Sequence, residues 1–134
     1  MTAASHGFGV HLTLDLAECD NARLADLDGI FRLLDGLPAA LGMTRVAPPY
    51  VFRYCGKVPA DRGITGFVAI AESHISIHTF SVKGYAFADV FSCKAFDADA
   101  AERLIVAALG CRRVVRASTL RGRDFPRSSG GSEA

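Results

Sequence analysis

Apolar residues recur with two different periods along this chain, and the change of period separates strands from helices. Residues 11–16 read His-Leu-Thr-Leu-Asp-Leu, and this alternation places Leu12, Leu14 and Leu16 on one face of a half-buried strand. Asp20 and Asn21 then offer side-chain caps, and Leu24, Leu27, Phe31 and Leu34 recur at spacings of three and four, which predicts a helix with a single apolar stripe. Gly36 and Pro38 are expected to weaken or kink that helix before Gly42, because proline lacks a backbone donor and crowds the turn before it. Residues 44–54 are rich in β-branched and aromatic side chains, but Pro48-Pro49 limits them to an edge or interrupted strand. After a loop at 57–63, the stretches 64–71, 74–80 and 85–93 are strand-like, with Ser81-Val82-Lys83-Gly84 as a connecting turn. Asp97 and Asp99 supply caps, with Glu102 three residues after Asp99, for a second helix whose stripe is Ala101, Leu104, Ile105 and Ala108 and which ends before Gly110. Residues 111–119 form a final strand, and 127–134 a flexible tail.

The order strand, helix, strands, helix, strand predicts an α+β fold, an antiparallel sheet with two helices packed on one face. The other sheet face stays partly apolar, and a second copy of the chain is a simple way to cover it. At 134 residues, the chain has room for one domain, spanning residues 1–126. Half the residues are hydrophobic and 22% are charged, which excludes a largely disordered chain. A formal net charge of +1 gives no reason to expect a nucleic-acid or membrane partner. Arg112, Arg113, Arg116, Arg121, Arg123 and Arg127 do lie close together, and a solvated strand edge and tail account for them. Cys19, Cys55, Cys93 and Cys111 are widely spaced with no CxxC, nothing at the start resembles a signal peptide, and no apolar run approaches the ~20 residues that cross a bilayer. A cytoplasmic protein with reduced thiols is expected.

Two histidines and two serines are concentrated among strand residues in Glu72-Ser73-His74-Ile75-Ser76-Ile77-His78-Thr79-Phe80. One reading is a half-buried strand, with Ile75 and Ile77 facing the core and His74, Ser76 and His78 lining a solvated face. A second is a metal site on His74 and His78, but spacing places no third ligand, and no metal is expected. A third is nucleophilic chemistry, with a serine hydroxyl activated by a histidine. The segment has no Gly-x-Ser-x-Gly elbow, which argues against an ordinary serine hydrolase. His6 and His11 are expected in surface or capping roles. Tyr50, Phe52 and Tyr54 alternate like one strand face, with packing as their default role.

This motif, with Gly84-Tyr85-Ala86 and Asp89-Val-Phe-Ser-Cys93, resembles that of the prokaryotic S-adenosylmethionine decarboxylase proenzymes, and the resemblance runs from about residue 11 to residue 126. It implies self-cleavage between Glu72 and Ser73, giving a β chain of residues 1–72 and an α chain of residues 73–134 that begins with a pyruvoyl group made from Ser73. Glu72, Ser73, Thr65 and His78 are the processing residues it implies, with Thr65 and His78 supplying an oxyanion donor and a base. Ser73, His78 and Cys93 are the catalytic residues, Cys93 being the acid that returns a proton to carbon, as a thiol protonated at neutral pH can. The covalent pyruvoyl serves as electron sink. The resemblance further implies S-adenosylmethionine as substrate, a place in spermidine synthesis, and a homodimer or larger assembly whose active sites are shared between subunits.

Strict alternation would turn Ser73 toward Ile75 and Ile77 and away from His78, so a bulge or bend is expected where the strand starts. Phe80 is the expected substrate-binding residue, through stacking and cation–π attraction to a sulfonium, and it stands where bacterial relatives usually present tryptophan. Asp15 stands where a glutamate is expected, and there are extra residues between Pro48 and Gly63. A pyruvoyl-dependent decarboxylase of arginine or ornithine is the leading alternative enzyme, and an unprocessed binding homologue is the alternative from a different class.

Overall fold

The computed structural model describes residues 7–126; His6, Arg127 and the tail expected at 127–134 lie outside them. Strand β1 is Gly9–Ala17, followed by helices α1 (Asn21–Leu24) and α2 (Leu27–Ala40), strands β2 (Thr44–Arg45), β3 (Tyr50–Tyr54), β4 (Gly63–Ala71), β5 (Ser73–Phe80) and β6 (Tyr85–Ser92), helix α3 (Ala98–Leu109) and strand β7 (Arg113–Arg121). The strands make one antiparallel sheet in the order β2-β4-β5-β6-β1-β7, with β3 pairing beside β2 along the same edge of β4. The break between β2 and β3 falls at Pro48-Pro49, where the missing N–H groups forbid a continuous ladder.

The first helical segment is split. Asp20 caps α1 through the N–H groups of Ala22 and Arg23, and Asp26 opens α2 by accepting from Gly29. The second cap resets the helical phase, so Ile30, Leu34 and Leu37 are buried while Phe31, expected on the stripe, is 38% exposed. Pro38 does not end the helix. It lies in the last turn with its ring buried, and packing against the sheet outweighs the missing donor. In α3 the cap is Asp97, which accepts from Ala100, rather than Asp99. The buried stripe is Ala101, Ile105 and Leu109, and Leu104 faces solvent. Gly110, at φ +65°, ends this helix in the left-handed conformation that glycine adopts without cost.

Helices α2 and α3 cover one face of the sheet. Leu12, Leu14 and Leu16 of β1, Val68 of β4, Ile75 and Ile77 of β5, and Val90 of β6 meet them in one core. Gly66 of β4 lets α2 approach closely, since a Cβ there would come within 2.8 Å of Leu34 Cδ1. Thr79 is the polar tie in this layer: its hydroxyl donates to Leu24 O at 2.8 Å and accepts from Ile64 N at 2.9 Å. Among the described residues, no helix lies on the other sheet face. That face presents Phe67 and Phe87, each more than two-fifths exposed, next to the histidines of β5.

Candidate active site

The pleat of β5 places Ser76 and His78 on the open face with His74, as alternation predicts, and cross-strand pairing builds rows of side chains around them. His74 lies opposite Phe91, which lies opposite His11; Ser76 lies opposite Asp89, which lies opposite Thr13; and Thr65, His78, Phe87 and Asp15 form a third row. Ser73 starts β5 directly after a turn, and its φ is +121°. The bend required at the strand's start is therefore present. A non-glycine residue in such a sparsely populated backbone region costs on the order of 1–3 kcal/mol. Ser73 is half-buried and Glu72 exposed, so the bond between them is accessible at the sheet's end.

Two separate groups of the expected site residues emerge. At the start of β5, the thiol of Cys93 donates to Glu72 Oε1 at 3.4 Å, and Ser73 pairs with Ser92, the neighbour of Cys93. Toward the other end, Thr65 Oγ1 and His78 Nδ1 are 3.3 Å apart. His78 is five positions from Ser73 on one strand, or about 16 Å at ~3.3 Å per residue. One chain thus gathers Glu72, Ser73 and Cys93 in one place and Thr65 and His78 in another.

His78 stands between two hollows. One, of about 200 Å³, is lined by Thr13, Asp15, Ser76, Phe87 and Asp89 as well as His78. The other, of about 270 Å³, is lined by Tyr54, Asp61, Thr65 and Phe80. Phe80 meets Phe87 edge-on with centroids 5.8 Å apart. Tyr50 packs on Phe52 at 5.3 Å and on Phe67 at 5.8 Å, so this aromatic stripe packs on the open face and not in the core.

Between the two groups lies a network for which the sequence reading had no role. Asp89 accepts from His11 Nε2 at 2.6 Å, from His74 Nε2 at 2.9 Å, and from the Ser76 hydroxyl. Burial works against ionisation of Asp89, but the hydrogen bonds from Ser76, His11 and His74 outweigh it and hold the carboxyl below the ordinary carboxylate range. The three ligand-type atoms of His11, His74 and Asp89 lie within 4.8 Å of one another, so His74 associates with His11 and not with His78. Arg121 stands 3.3 Å from His11 Nδ1 and 4.3 Å from the centre of the Phe91 ring. Arginine can only donate, so Nδ1 of His11 accepts and its Nε2 carries the proton given to Asp89. His11 is therefore a bridging hydrogen-bond residue rather than a surface cap. Arg113 and Arg116 are occupied by Glu18 and by Asp99 and Glu102, respectively. Alternation marked His11 and His74 as open-face residues, and Asp89 was quoted within the motif, but their meeting depends on the β1–β6–β5 register, which local sequence does not encode.

An open-faced antiparallel α+β sheet with a strained serine beginning a central strand is the class these features define. The S-adenosylmethionine decarboxylase family profile matches residues 10–122, and the chain belongs to that family. A protein named S-adenosylmethionine decarboxylase proenzyme from Methanococcus maripaludis is 39% identical over 87 residues, 63% of this chain and 65% of that one. One of the same name from Thermococcus onnurineus is 40% identical over 86 residues, 63% of this chain and 56% of that one. The match thus spans less than two thirds of either relative. The crystal structure of the adenosylmethionine decarboxylase from Aquifex aeolicus superposes with a TM-score of 0.71 at 28% identity, covering 88% of this chain and 93% of that chain. Among the described residues, no helix is long and apolar enough to cross a membrane.

Proposed function

We propose that this chain is a cytoplasmic proenzyme that cuts itself between Glu72 and Ser73 and then decarboxylates S-adenosylmethionine, supplying the aminopropyl donor for spermidine synthesis. The observation that carries this reading is Ser73 at φ +121° immediately after a turn, with the Cys93 thiol held against Glu72. A strained, accessible peptide bond next to a hydroxyl and a proton donor is what an acyl shift followed by carbon protonation requires.

In the first step the Ser73 hydroxyl oxygen attacks the Glu72 carbonyl carbon. The C–N bond breaks, a C–O ester forms, and the hydroxyl proton passes to the freed nitrogen. A hydroxyl near the developing oxyanion assists, and this is the role given to Thr65. A base then removes the Ser73 Cα proton and the ester's Cβ–O bond breaks, which leaves Glu72 as a carboxylate terminus and residue 73 as dehydroalanine; His78 is the assigned base. Tautomerisation and attack by water release ammonia and leave the pyruvoyl carbonyl.

Ser73 fits that group chemically, since it lies on the sheet's end with its own backbone bent out of the regular strand. When formed, the pyruvoyl supplies an electrophilic carbonyl that takes up the electron pair released as carbon dioxide leaves. Cys93 returns a proton from Sγ to the substrate's α-carbon. Phe80 and Tyr54 offer aromatic faces to the sulfonium in the hollow beside His78.

The ~16 Å along β5 separates Thr65 and His78 from the scissile bond of their own chain. Pairing of two chains through their open faces supplies both halves of the chemistry to each site and covers Phe67 and Phe87. The working unit is therefore a homodimer of αβ protomers, or a larger assembly built from it.

The test presents purified protein separately with carboxyl-labelled S-adenosylmethionine, arginine and ornithine, and measures released carbon dioxide. Release from S-adenosylmethionine alone is expected. Release only from an amino acid would replace the substrate and keep the self-cleavage, whereas release from none would contradict the activity.

A further inference from the structure

The free thiols of Cys19 and Cys111 are in direct contact, with one donating to the other at 2.6 Å. They sit where the turn after β1 meets the turn after α3, and the backbone holds the two turns together on both sides of the pair. Asp20 N donates to Leu109 O at 3.0 Å, and Arg112 N donates to Ala17 O at 3.2 Å. Both cysteines are more than nine-tenths buried, and neither takes part in the chemistry of Ser73 and Cys93. Cys111 nevertheless borders an open groove between α3 and β7, lined by Arg103 and Arg112 and by Asp99 and Glu102, whose carboxylates are taken up by Arg116. Cys19 belongs to residues 1–72 and Cys111 to residues 73–134.

We propose that Cys19 and Cys111 form a dithiol site that a small anionic disulfide of the glutathione type oxidises, creating a covalent tether between the two products of self-cleavage. The arginines of the groove suit the carboxylates of such a reagent. Cys111, as thiolate, attacks one sulfur of the reagent, forming a mixed disulfide and releasing one thiolate. Cys19 then attacks the Cys111 sulfur, closing the protein disulfide and releasing the second thiolate. The two protons lost by the cysteines end on the two reagent thiols, so one disulfide is reduced as one is formed. Burial pushes both thiols above their ordinary range, which keeps the thiolate scarce and makes the exchange slow.

That the bond joins two polypeptides rests on the proposed cut between Glu72 and Ser73; that it forms at all does not. Purified protein is incubated with glutathione disulfide, quenched with acid, and divided between a gel without reductant and a digest for mass spectrometry. The expected digest contains one linked peptide bearing Cys19 and Cys111, and the expected gel shows the two fragments migrating together until reductant parts them. C111S gives fragments that separate without reductant. The uncut S73A chain yields the same linked peptide, so a failure of cleavage and a failure of oxidation read differently. Separate Cys19 and Cys111 peptides in both wild type and S73A, or a tether persisting in C111S, would overturn the proposal.

Discussion

The two ends of strand β5 differ both in backbone geometry and in chemical endowment. The Ser73 end has a serine hydroxyl, a strained backbone and a thiol; the His78 end has a threonine hydroxyl and an imidazole, with aromatic walls. In the proposed mechanism neither end suffices for self-cleavage followed by decarboxylation, and a rigid strand cannot fold back to join them. Under the proposed function, the sheet holds a complete set of reactive groups and needs a second copy to bring them together. Between the ends, Asp89 ties β1, β5 and β6 by accepting from His11, His74 and Ser76, and so fixes the frame on which both ends are mounted.

Removing the nucleophile breaks the comparison most completely. S73A is expected to stay full length by denaturing mass spectrometry, and a normal cut in that variant would move the scissile bond elsewhere. H78A and T65V, at the opposite end, are expected to slow cleavage by about 10²–10³-fold, the usual loss for one base or oxyanion donor, in a time course followed on gels. The sharper form mixes the ends: an H78A chain made together with S73A should regain cleavage, because the S73A copy still offers its His78. Continued absence of cleavage would mean that each chain completes its own site. C93S should cut itself and lose carbon dioxide release by about 10²-fold or more, the scale for a missing acid, which separates the two reactions carried out at the Ser73 end. D89N is expected to have the smallest effect, costing about 1–3 kcal/mol of stability in urea unfolding as a half-buried acceptor set is disrupted. The Asp89 carboxyl lies below its ordinary range in the folded chain. Its contribution is therefore complete above an unfolded value of ~3.9 and lost as pH falls through the folded value. The wild type should lose more stability than D89N between neutral pH and pH ~3.

Strands with clean alternation were legible before the structure. Leu12, Leu14, Leu16, Ile75 and Ile77 face the core, and His74, Ser76 and His78 do not, because a period of two leaves no other assignment when one face is buried. The helix phases were less legible. Asp26 restarts the first helix and exchanges Phe31 for Ile30, and a cap of that kind competes with a stripe drawn straight through it. Of the site, the motif pointed to Glu72, Ser73, His78 and Cys93, and the expected bend at Ser73 came from setting alternation against the roles the resemblance implies for Ser73 and His78. The Asp89 network and the Cys19–Cys111 contact join residues 78 and 92 positions apart, respectively. Contacts at that separation depend on sheet order and register, which arise from the packing of the whole chain.

The bond before Ser73 is the most direct place to look. The mass of mature, denatured and reduced protein should show two fragments. The first should end in an ordinary carboxylate at Glu72, and the second should begin at position 73, blocked to amine sequencing and lighter by one ammonia than a chain starting with serine. A single intact chain, or a second fragment with a free serine amine, would contradict the proposed self-cleavage.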